Sequence, residues 1–176
     1  MNSLNIAKNV FTLEAQAISN LSNLLTEDFA KAVDLVIKSK GRLVISGMGK
    51  SGHIGVKISA TLASTGTPSF FMHPAEAIHG DLGMLTKDDV LLAISNSGES
   101  EEIVRIIPLV KRMGIKLIGM AGKENSTLAK ESDYFLNIAI EKEACPLQLA
   151  PMSSTTATLA MGDDFTAQLF EQKDFM

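Results

Sequence analysis

Five short apolar runs, separated by stretches with helical periodicity, restrict the fold of this chain more than any other feature of its sequence. The first run, residues 42–46 (RLVIS), contains β-branched residues and ends at a glycine, which is typical of a buried parallel strand. Four more runs follow at residues 69–72, 90–94, 116–120 and 134–138. Because strands that alternate with helices pair in parallel and are covered on both faces, we predict an α/β fold. The expected architecture is a doubly wound, three-layer α/β/α sandwich around a five-stranded parallel sheet, of the flavodoxin-like or Rossmann-like type.

Helices are predicted at both ends of the chain. Apolar residues recur at spacings of three and four through residues 4–39, which indicates two amphipathic helices. A glycine-rich loop and a helix over residues 50–63 follow the first strand, and the last helix covers residues 153–172. We expect the buried positions of that last helix to include Thr155, Leu159, Phe165, Leu169 and Phe170. With 176 residues and neither a repeat nor a linker, the chain is expected to form a single domain over residues 1–176.

The charge and composition of the chain argue against several classes of partner. A formal net charge of -4 without a lysine or arginine tract is unlike the basic face of a nucleic-acid-binding protein. No apolar run approaches the ~20 residues that a membrane span needs, and the first residues lack the apolar core of a signal peptide. Because Cys145 is the only cysteine, no internal disulfide can form. We therefore expect a cytoplasmic protein with no nucleic-acid partner and no membrane partner.

The loop after the first strand has the composition of an anion site. In an open parallel sheet, ligands bind beyond the carboxyl ends of the strands. Residues 47–52 (GMGKSG) follow the first strand, and their glycines let the backbone approach a ligand while helix-start N–H groups attract an anion. Lys50 adds a positive charge and Ser51 a hydroxyl. The spacing is too short for a Walker A loop, and a simple tight turn from strand to helix is the alternative interpretation.

Two further helix starts are rich in hydroxyl groups. Residues 95–100 (SNSGES) follow the third strand and supply three hydroxyls and an amide, whereas an ordinary helix cap needs only one such residue. We therefore favour a phosphate cradle over simple capping. Residues 151–156 (PMSSTT) begin the last helix with four consecutive hydroxyls. Three such helix starts at one edge of a sheet predict a site for a phosphorylated polyol.

The segments that carry these residues closely resemble the sugar isomerase (SIS) domain of arabinose 5-phosphate isomerases. The resemblance covers nearly the whole chain after residue 40. The run SNSGE alone marks only the broad family of phosphosugar isomerases and phosphosugar-sensing regulators. The histidine-bearing and cysteine-proline segments narrow the resemblance to the arabinose 5-phosphate isomerases. The matching segments are GMGKSGH at 47–53, STGTP at 64–68, HPAEAIHGDLG at 73–83, ISNSGES at 94–100, ACPLQLAP at 144–151 and SSTTAT at 153–158.

The resemblance implies an activity, an assembly and a set of site residues. The activity is the reversible conversion of D-ribulose 5-phosphate to D-arabinose 5-phosphate, which feeds 3-deoxy-D-manno-octulosonate (KDO) into Gram-negative lipopolysaccharide. The assembly is a homotetramer whose active sites are shared between subunits. Lys50, His79 and Glu102 match residues that the family uses around the reacting carbons. The residues expected to bind phosphate or the sugar hydroxyls are Gly49, Ser51, Ser95, Asn96, Ser97, Ser100, Ser153 and Thr156.

The chemistry of an aldose–ketose isomerase requires such groups. A base must move a proton between two carbons, and the oxygen charge of the enediol intermediate must be stabilised. Glu102 is the candidate base because it lies one short turn beyond the phosphate cradle. A surface glutamate stabilised by the helix dipole is the alternative interpretation of this residue. Lys50 would polarise the carbonyl oxygen or contact the phosphate, and His79 would open the sugar ring or transfer protons.

Other reactive residue types are assigned no chemistry. His53 and His73 are interpreted as helix-face and turn residues, and Cys145 as a small packing residue. The three histidines and one cysteine show no paired ligand spacing, so we expect no metal and no other cofactor.

Two other functions stay open at this level. One is a phosphosugar-binding sensor or regulatory module without turnover, and the other is an isomerase for another sugar phosphate. In the family, the pattern continues into a His-Pro-Gly-Gly segment and commonly a pair of CBS domains, which do not occur in this sequence. We therefore expect an excised domain in which binding survives better than turnover, because part of the wall that excludes water is lost.

Overall fold

The computed structural model describes residues 2–174 and contains a five-stranded sheet flanked by helices on both faces. All strand pairs are parallel, and the strands lie in the order β2 (Ser69–Phe71), β1 (Leu43–Gly47), β3 (Val90–Ile94), β4 (Lys116–Ala121) and β5 (Tyr134–Asn137), which confirms the predicted doubly wound sandwich. A short 3₁₀ helix, Asp81–Met84, precedes β3. In chain order the elements are α1 (Ser3–Leu24), α2 (Glu27–Lys38), β1 (Leu43–Gly47), α3 (Gly49–Ser64), β2 (Ser69–Phe71), α4 (Pro74–Ile78), β3 (Val90–Ile94), α5 (Glu101–Arg112), β4 (Lys116–Ala121), α6 (Thr127–Glu131), β5 (Tyr134–Asn137) and α7 (Ser153–Asp174). Among the described helices, none combines the length and the apolar character needed to cross a membrane.

Successive side chains of each strand pack into two separate cores. Leu43 and Ile45 of β1 lie in a cluster with residues of α2, α3 and α7, whereas Val44 lies in a second cluster with residues of α4, α5 and α6. This alternation follows from the period of two in a β-strand. Phe165 of α7 is fully buried in the first cluster, and its ring meets that of Phe29 edge to face at 5.8 Å. Helices on opposite faces therefore stabilise the sheet independently.

The pattern of burial along α7 differs from the prediction at one position. Phe165 and Leu169 are buried as expected, whereas Phe170 is 47% exposed and its predicted burial is wrong. Consecutive positions on a helix are rotated by about 100°, so Leu169 and Phe170 cannot both face the sheet. Thr155 and Leu159 are half-buried.

An ion pair between the half-buried Arg42 and the buried Asp89 joins the first and third strands at the amino-terminal edge of the sheet. The Asp89 carboxylate accepts hydrogen bonds from the Arg42 backbone N–H at 2.7 Å, from Arg42 Nη2 at 2.8 Å and from the Thr86 N–H at 2.8 Å. Burial alone would raise the pKa of Asp89, but these hydrogen bonds and the Arg42 charge outweigh it and lower the pKa to about 2. The pair aligns the starts of β1 and β3 at the edge opposite the candidate site.

The strand order creates a crevice at the carboxyl edge of the sheet. β1 and β3 are neighbours, but the chain leaves β1 toward α3 on one face and leaves β3 toward α5 on the other. The two loops therefore diverge, and such a switch point is where open α/β sheets bind ligands.

Candidate functional site

A pocket of about 330 Å³ occupies this crevice. Three segments that are far apart in sequence form its walls. The loop after β1 and the loop after β3 form two of the walls, and the first turns of α7 form the third. The lining residues are Met48, Lys50 and Ser51 from the first segment, Asn96, Ser97 and Ser100 from the second, and Pro151, Ser154, Thr155 and Thr158 from the third. The wall is dominated by hydroxyl and amide groups, with one positive charge.

The loop after β1 brings Lys50 and Ser51 to the pocket because α3 begins very close to the sheet. Gly49 has a φ of 54°, a left-handed conformation that favours glycine, and α3 begins at this residue. A Cβ atom on Gly52 would lie 2.6 Å from the Gly47 carbonyl oxygen, so a larger residue would push α3 away from β1. Lys50 is exposed and forms no ion pair within residues 2–174, which leaves its ammonium group available to a ligand.

The loop after β3 is organised by hydrogen bonds between its own hydroxyl groups. Ser95 is buried, and its Oγ lies 2.8 Å from Ser100 Oγ and accepts a bond from the Gly98 N–H at 3.1 Å. The Glu99 N–H donates to Ser97 Oγ at 3.2 Å. Ser95 thus lies behind the pocket wall and holds Ser97 and Ser100 in it. The Ser100 side chain does not cap α5, so the positive end of this helix faces the pocket without a bound side chain.

The start of α7 forms the third wall and carries a carboxylate. Glu143 Oε2 accepts hydrogen bonds from the Met152 N–H at 2.8 Å and from the Ser154 N–H at 3.2 Å. Thr158 Oγ1 donates to the Ser154 carbonyl at 2.7 Å. Within the described residues, the hydroxyls of Ser153 and Ser154 are buried and have no hydrogen-bond partner. The first turn of α7 is therefore capped by an acidic side chain and presents a buried, unpaired hydroxyl.

Comparison with known protein families matches residues 35–167 to the SIS domain. The match includes all five strands and both hydroxyl-rich loops that line the pocket. This chain belongs to the SIS domain family. The resemblance stated from the sequence motifs is thereby confirmed at the level of the domain.

Known proteins similar to this SIS domain include isomerases and a sugar phosphate complex. It is 56% identical over 169 residues to arabinose 5-phosphate isomerase KdsD of Pseudomonas aeruginosa, covering 96% of this chain and 52% of that protein. It is 51% identical over 168 residues to KdsD of Escherichia coli K12, covering 96% of this chain and 51% of that protein. The chain thus spans about half the length of the curated relatives it matches. A solved protein of E. coli CFT073 in complex with arabinose 5-phosphate superposes with a TM-score of 0.94 at 41% identity, covering 100% of this chain and 95% of that one.

The SIS domain brings half of the predicted binding residues, together with the candidate catalytic Lys50, into one pocket. Lys50, Ser51, Asn96, Ser97 and Ser100 all line it. Gly49 lies in the same loop, and Ser95 supports Ser97 and Ser100 from behind. The contacts of these residues with a ligand stay a prediction.

The predicted residues of α7 lie off the pocket wall. Ser153 is fully buried beside the pocket, and Thr156 is half-buried, but neither lines it. Ser154, Thr155 and Thr158 line it instead. Positions i and i+4 share a helix face, so the pair Ser154 and Thr158 was the available sequence signal for this wall.

Two of the three candidate catalytic residues lie outside the pocket. Glu102 is half-buried in the first turn of α5, two residues beyond Ser100, and does not line the cavity. His79 is exposed at the carboxyl end of α4. Only Lys50 of the three lies in the wall. The catalytic roles of all three residues stay a prediction.

The loop that joins β5 to α7 contains a residue that sequence reasoning missed. Glu143 belongs to no recognised motif, so no pattern indicated that it caps α7. Gln148 closes the loop, because its side chain accepts from the Glu143 N–H at 3.0 Å and donates to the Glu143 carbonyl at 2.7 Å. Cys145 is buried within it, and the backbone N–H groups of Ala150, Leu149 and Leu147 lower the pKa of its thiol. This loop therefore places an acidic group at the start of α7, where it bonds the N–H group of the pocket-lining Ser154.

Glu99 has a structural role, and the residue types that bind metals form no metal site among the described residues. The Glu99 carboxylate accepts a hydrogen bond from the Thr127 N–H at 2.6 Å, which caps α6 and lowers the pKa of Glu99. Across residues 2–174, no group of three or more histidine, cysteine, aspartate or glutamate side chains is arranged to hold a metal ion.

Proposed function

We propose that this SIS domain, acting as a single unit over residues 1–176, binds a sugar phosphate and interconverts D-ribulose 5-phosphate and D-arabinose 5-phosphate. The observation that carries the proposal is the pocket in which Lys50 and the hydroxyls of Ser51, Ser97 and Ser100 converge at a helix start. The names of the KdsD relatives and the solved arabinose 5-phosphate complex support the choice of sugar.

The phosphate binds where the loop after β3 meets the start of α5. Hydroxyl groups donate to phosphate oxygens, and the free N–H groups of the first turn of α5 add the favourable end of the helix dipole. Lys50, across the pocket, supplies a positive charge that serves either the phosphate dianion or the carbonyl oxygen. The Ser95–Ser100 hydrogen bond holds this arrangement before the ligand arrives, so little ordering is required on binding.

The reaction then proceeds through an enediol. A base removes the proton from C2 of the aldose while the C1 carbonyl oxygen gains a proton, and the proton is returned to C1 as the C2 hydroxyl becomes the ketone. Glu102 is the proposed base, Lys50 stabilises the developing oxygen charge, and His79 assists ring opening or proton transfer. No redox cofactor is needed, because hydrogen only moves from C2 to C1 and between the two oxygens, so the reaction involves no net oxidation.

We further propose that copies of this chain assemble into a homotetramer with shared active sites. Support comes from α1, on which Leu4, Phe11 and Ile18 are 67%, 72% and 44% exposed at a seven-residue spacing that continues to Leu25. A heptad-spaced apolar stripe is a common helix–helix contact surface. The exposed position of His79 fits a residue that serves the pocket of a neighbouring copy.

In the cell, the proposed product would enter KDO and lipopolysaccharide synthesis in the cytoplasm. The pathway rests on the names of the KdsD relatives, and the location rests on the single cysteine of this sequence, which suits a reducing compartment.

Proton NMR of D-arabinose 5-phosphate in deuterated water tests the enzymatic proposal. We expect loss of the C2 proton signal and formation of ribulose 5-phosphate, and we expect Glu102→Gln to slow both by at least ~100-fold while ligand binding persists. Glu101→Gln is the matched control, because Glu101 is its exposed neighbour in the same helical turn. Full activity in Glu102→Gln would exclude Glu102 as the base. Ligand binding without any exchange in the parent chain would exclude turnover and favour a sensor module.

A further inference from the structure

The two helix starts that face the pocket differ in whether a side chain caps their N–H groups. At α7, Glu143 Oε2 already accepts hydrogen bonds from the Met152 and Ser154 N–H groups. The positive end of that helix is therefore offset by a carboxylate. At α5, the Ser100 side chain makes no capping bond, and the acidic residues of the first turn, Glu101 and Glu102, do not line the pocket. A phosphate dianion therefore finds N–H groups without a side-chain cap at α5, whereas N–H groups of α7 are already bound to a carboxylate.

Ser154 is the polar group of the α7 wall that lacks a partner. Its side chain is 1% exposed and lines the pocket, and its Oγ has no hydrogen-bond partner among the described residues. Thr158, the other buried hydroxyl of this wall, already donates to the Ser154 carbonyl. Buried polar groups are almost always paired in native proteins, so an orphaned hydroxyl in a pocket wall indicates a ligand partner.

We infer that Ser154 hydrogen-bonds a hydroxyl on the carbon chain of the sugar, and that the ligand lies with its phosphate at α5 and its carbon chain toward α7. The inference rests on the proposed sugar phosphate ligand and adds to it a specificity-determining residue and a direction. A neutral sugar hydroxyl donates a hydrogen bond to Ser154 Oγ or accepts one from it, and the Glu143 carboxylate does not repel it as it would repel a phosphate. Inorganic phosphate has no carbon chain and does not use Ser154.

Calorimetric titration with two probes tests the inference. D-arabinitol 5-phosphate keeps the hydroxyls and the phosphate of the sugar but lacks the carbonyl, so it is not turned over, and inorganic phosphate reports the phosphate end alone. We expect Ser154→Ala to weaken D-arabinitol 5-phosphate binding about five- to tenfold, which is the loss of one hydrogen bond, and to leave phosphate binding unchanged. Ser46→Ala is the matched control, because the Ser46 hydroxyl is also buried and has no partner within residues 2–174 but does not line the pocket. Both variants should fold, because each removes an unpaired hydroxyl.

Each other outcome overturns a part of the inference. Equal weakening of both probes by Ser154→Ala would mean that Ser154 contacts the phosphate and that the direction is reversed. Unchanged affinity for both probes would remove Ser154 from the site, and a loss found in Ser153→Ala instead would assign the contact to Ser153. If the parent chain bound neither probe, the proposed function itself would fail, and the inference with it.

Discussion

Replacement of Asp89 by asparagine tests whether the Arg42–Asp89 ion pair at the amino edge of the sheet stabilises the fold. The Asp89 side chain is 1% exposed, and it accepts hydrogen bonds from Arg42 and from the Thr86 N–H. Asparagine keeps the shape but loses the negative charge, and its NH₂ group cannot accept from the Arg42 guanidinium. Arg42 would then keep its contact with the Phe70 ring but lose its counter-ion.

The lowered pKa of Asp89 sets the size of the effect and its pH dependence. A fall from 3.8 to about 2 corresponds to about 2.4 kcal/mol of stability at pH 7. Because the pKa is lower in the folded chain than in the unfolded chain, this stability is present above pH ~4 and is lost as the pH falls toward ~2. The same relation leaves about 1.3 kcal/mol at pH 3. Because 39% of the Arg42 side chain is exposed, we take about 2 kcal/mol at pH 7 as the expected loss.

Urea unfolding of the parent chain and Asp89→Asn at pH 7, 5 and 3 measures this directly. We expect the difference in unfolding free energy to shrink by about 1 kcal/mol between pH 7 and pH 3. Asp88→Asn is the control, because Asp88 is exposed and its carboxylate makes no ion pair among residues 2–174, so its loss should stay within ~0.5 kcal/mol. A difference for Asp89→Asn that is absent at pH 7, or equal at pH 7 and pH 3, would refute the reasoning.

Two further predictions concern the phosphate loop and the assembly. Gly98→Ala should destabilise the chain by about 2–4 kcal/mol and weaken phosphate binding, because Gly98 has a φ of 67° and a Cβ there would overlap Ser126. Gly114→Ala should cost only about 1–2 kcal/mol in urea unfolding, because Gly114 has a φ of 77° but open space around it. Equal losses of stability in the two variants would mean that overlap with Ser126 adds no cost. Phe11→Glu should reduce the molar mass found by light scattering, because it places a charge in the exposed stripe of α1. A monomeric mass for the parent chain would contradict the proposed assembly.

Two loops of the candidate site could be predicted because each of them directly follows a predicted strand. Residues 47–52 and 95–100 come directly after apolar runs, and the carboxyl ends of parallel strands meet at one edge of a sheet. Ser51, Ser97 and Ser100 therefore had to lie close together once the strands were placed. The wall from α7 could not be predicted in the same way. Its hydroxyls at 153–156 are consecutive, and only the rotation of the helix against the sheet selects which of them face the pocket.

The position of Glu143 could not be predicted either, because this residue lies in an irregular loop. The sequence contains neither a strand nor a helical period between β5 and α7, so nothing local indicates where the carboxylate points. Its position depends on the Gln148 hydrogen bonds that close the loop and on the free N–H groups of Met152 and Ser154.

Local sequence patterns are enough to specify the layers of this protein, the parallel sheet and the edge that carries the candidate site. Those features follow from local periodicity and from the ends of apolar runs, which neighbouring residues specify. Three other features depend on how distant segments pack: which hydroxyls line the pocket, the capping of α7 by a carboxylate, and the positions of Glu102 and His79 off the wall of a single chain. These depend on helix rotation and on contacts between segments far apart in sequence, because side-chain direction in a packed helix is set by its neighbours and not by its own residue order.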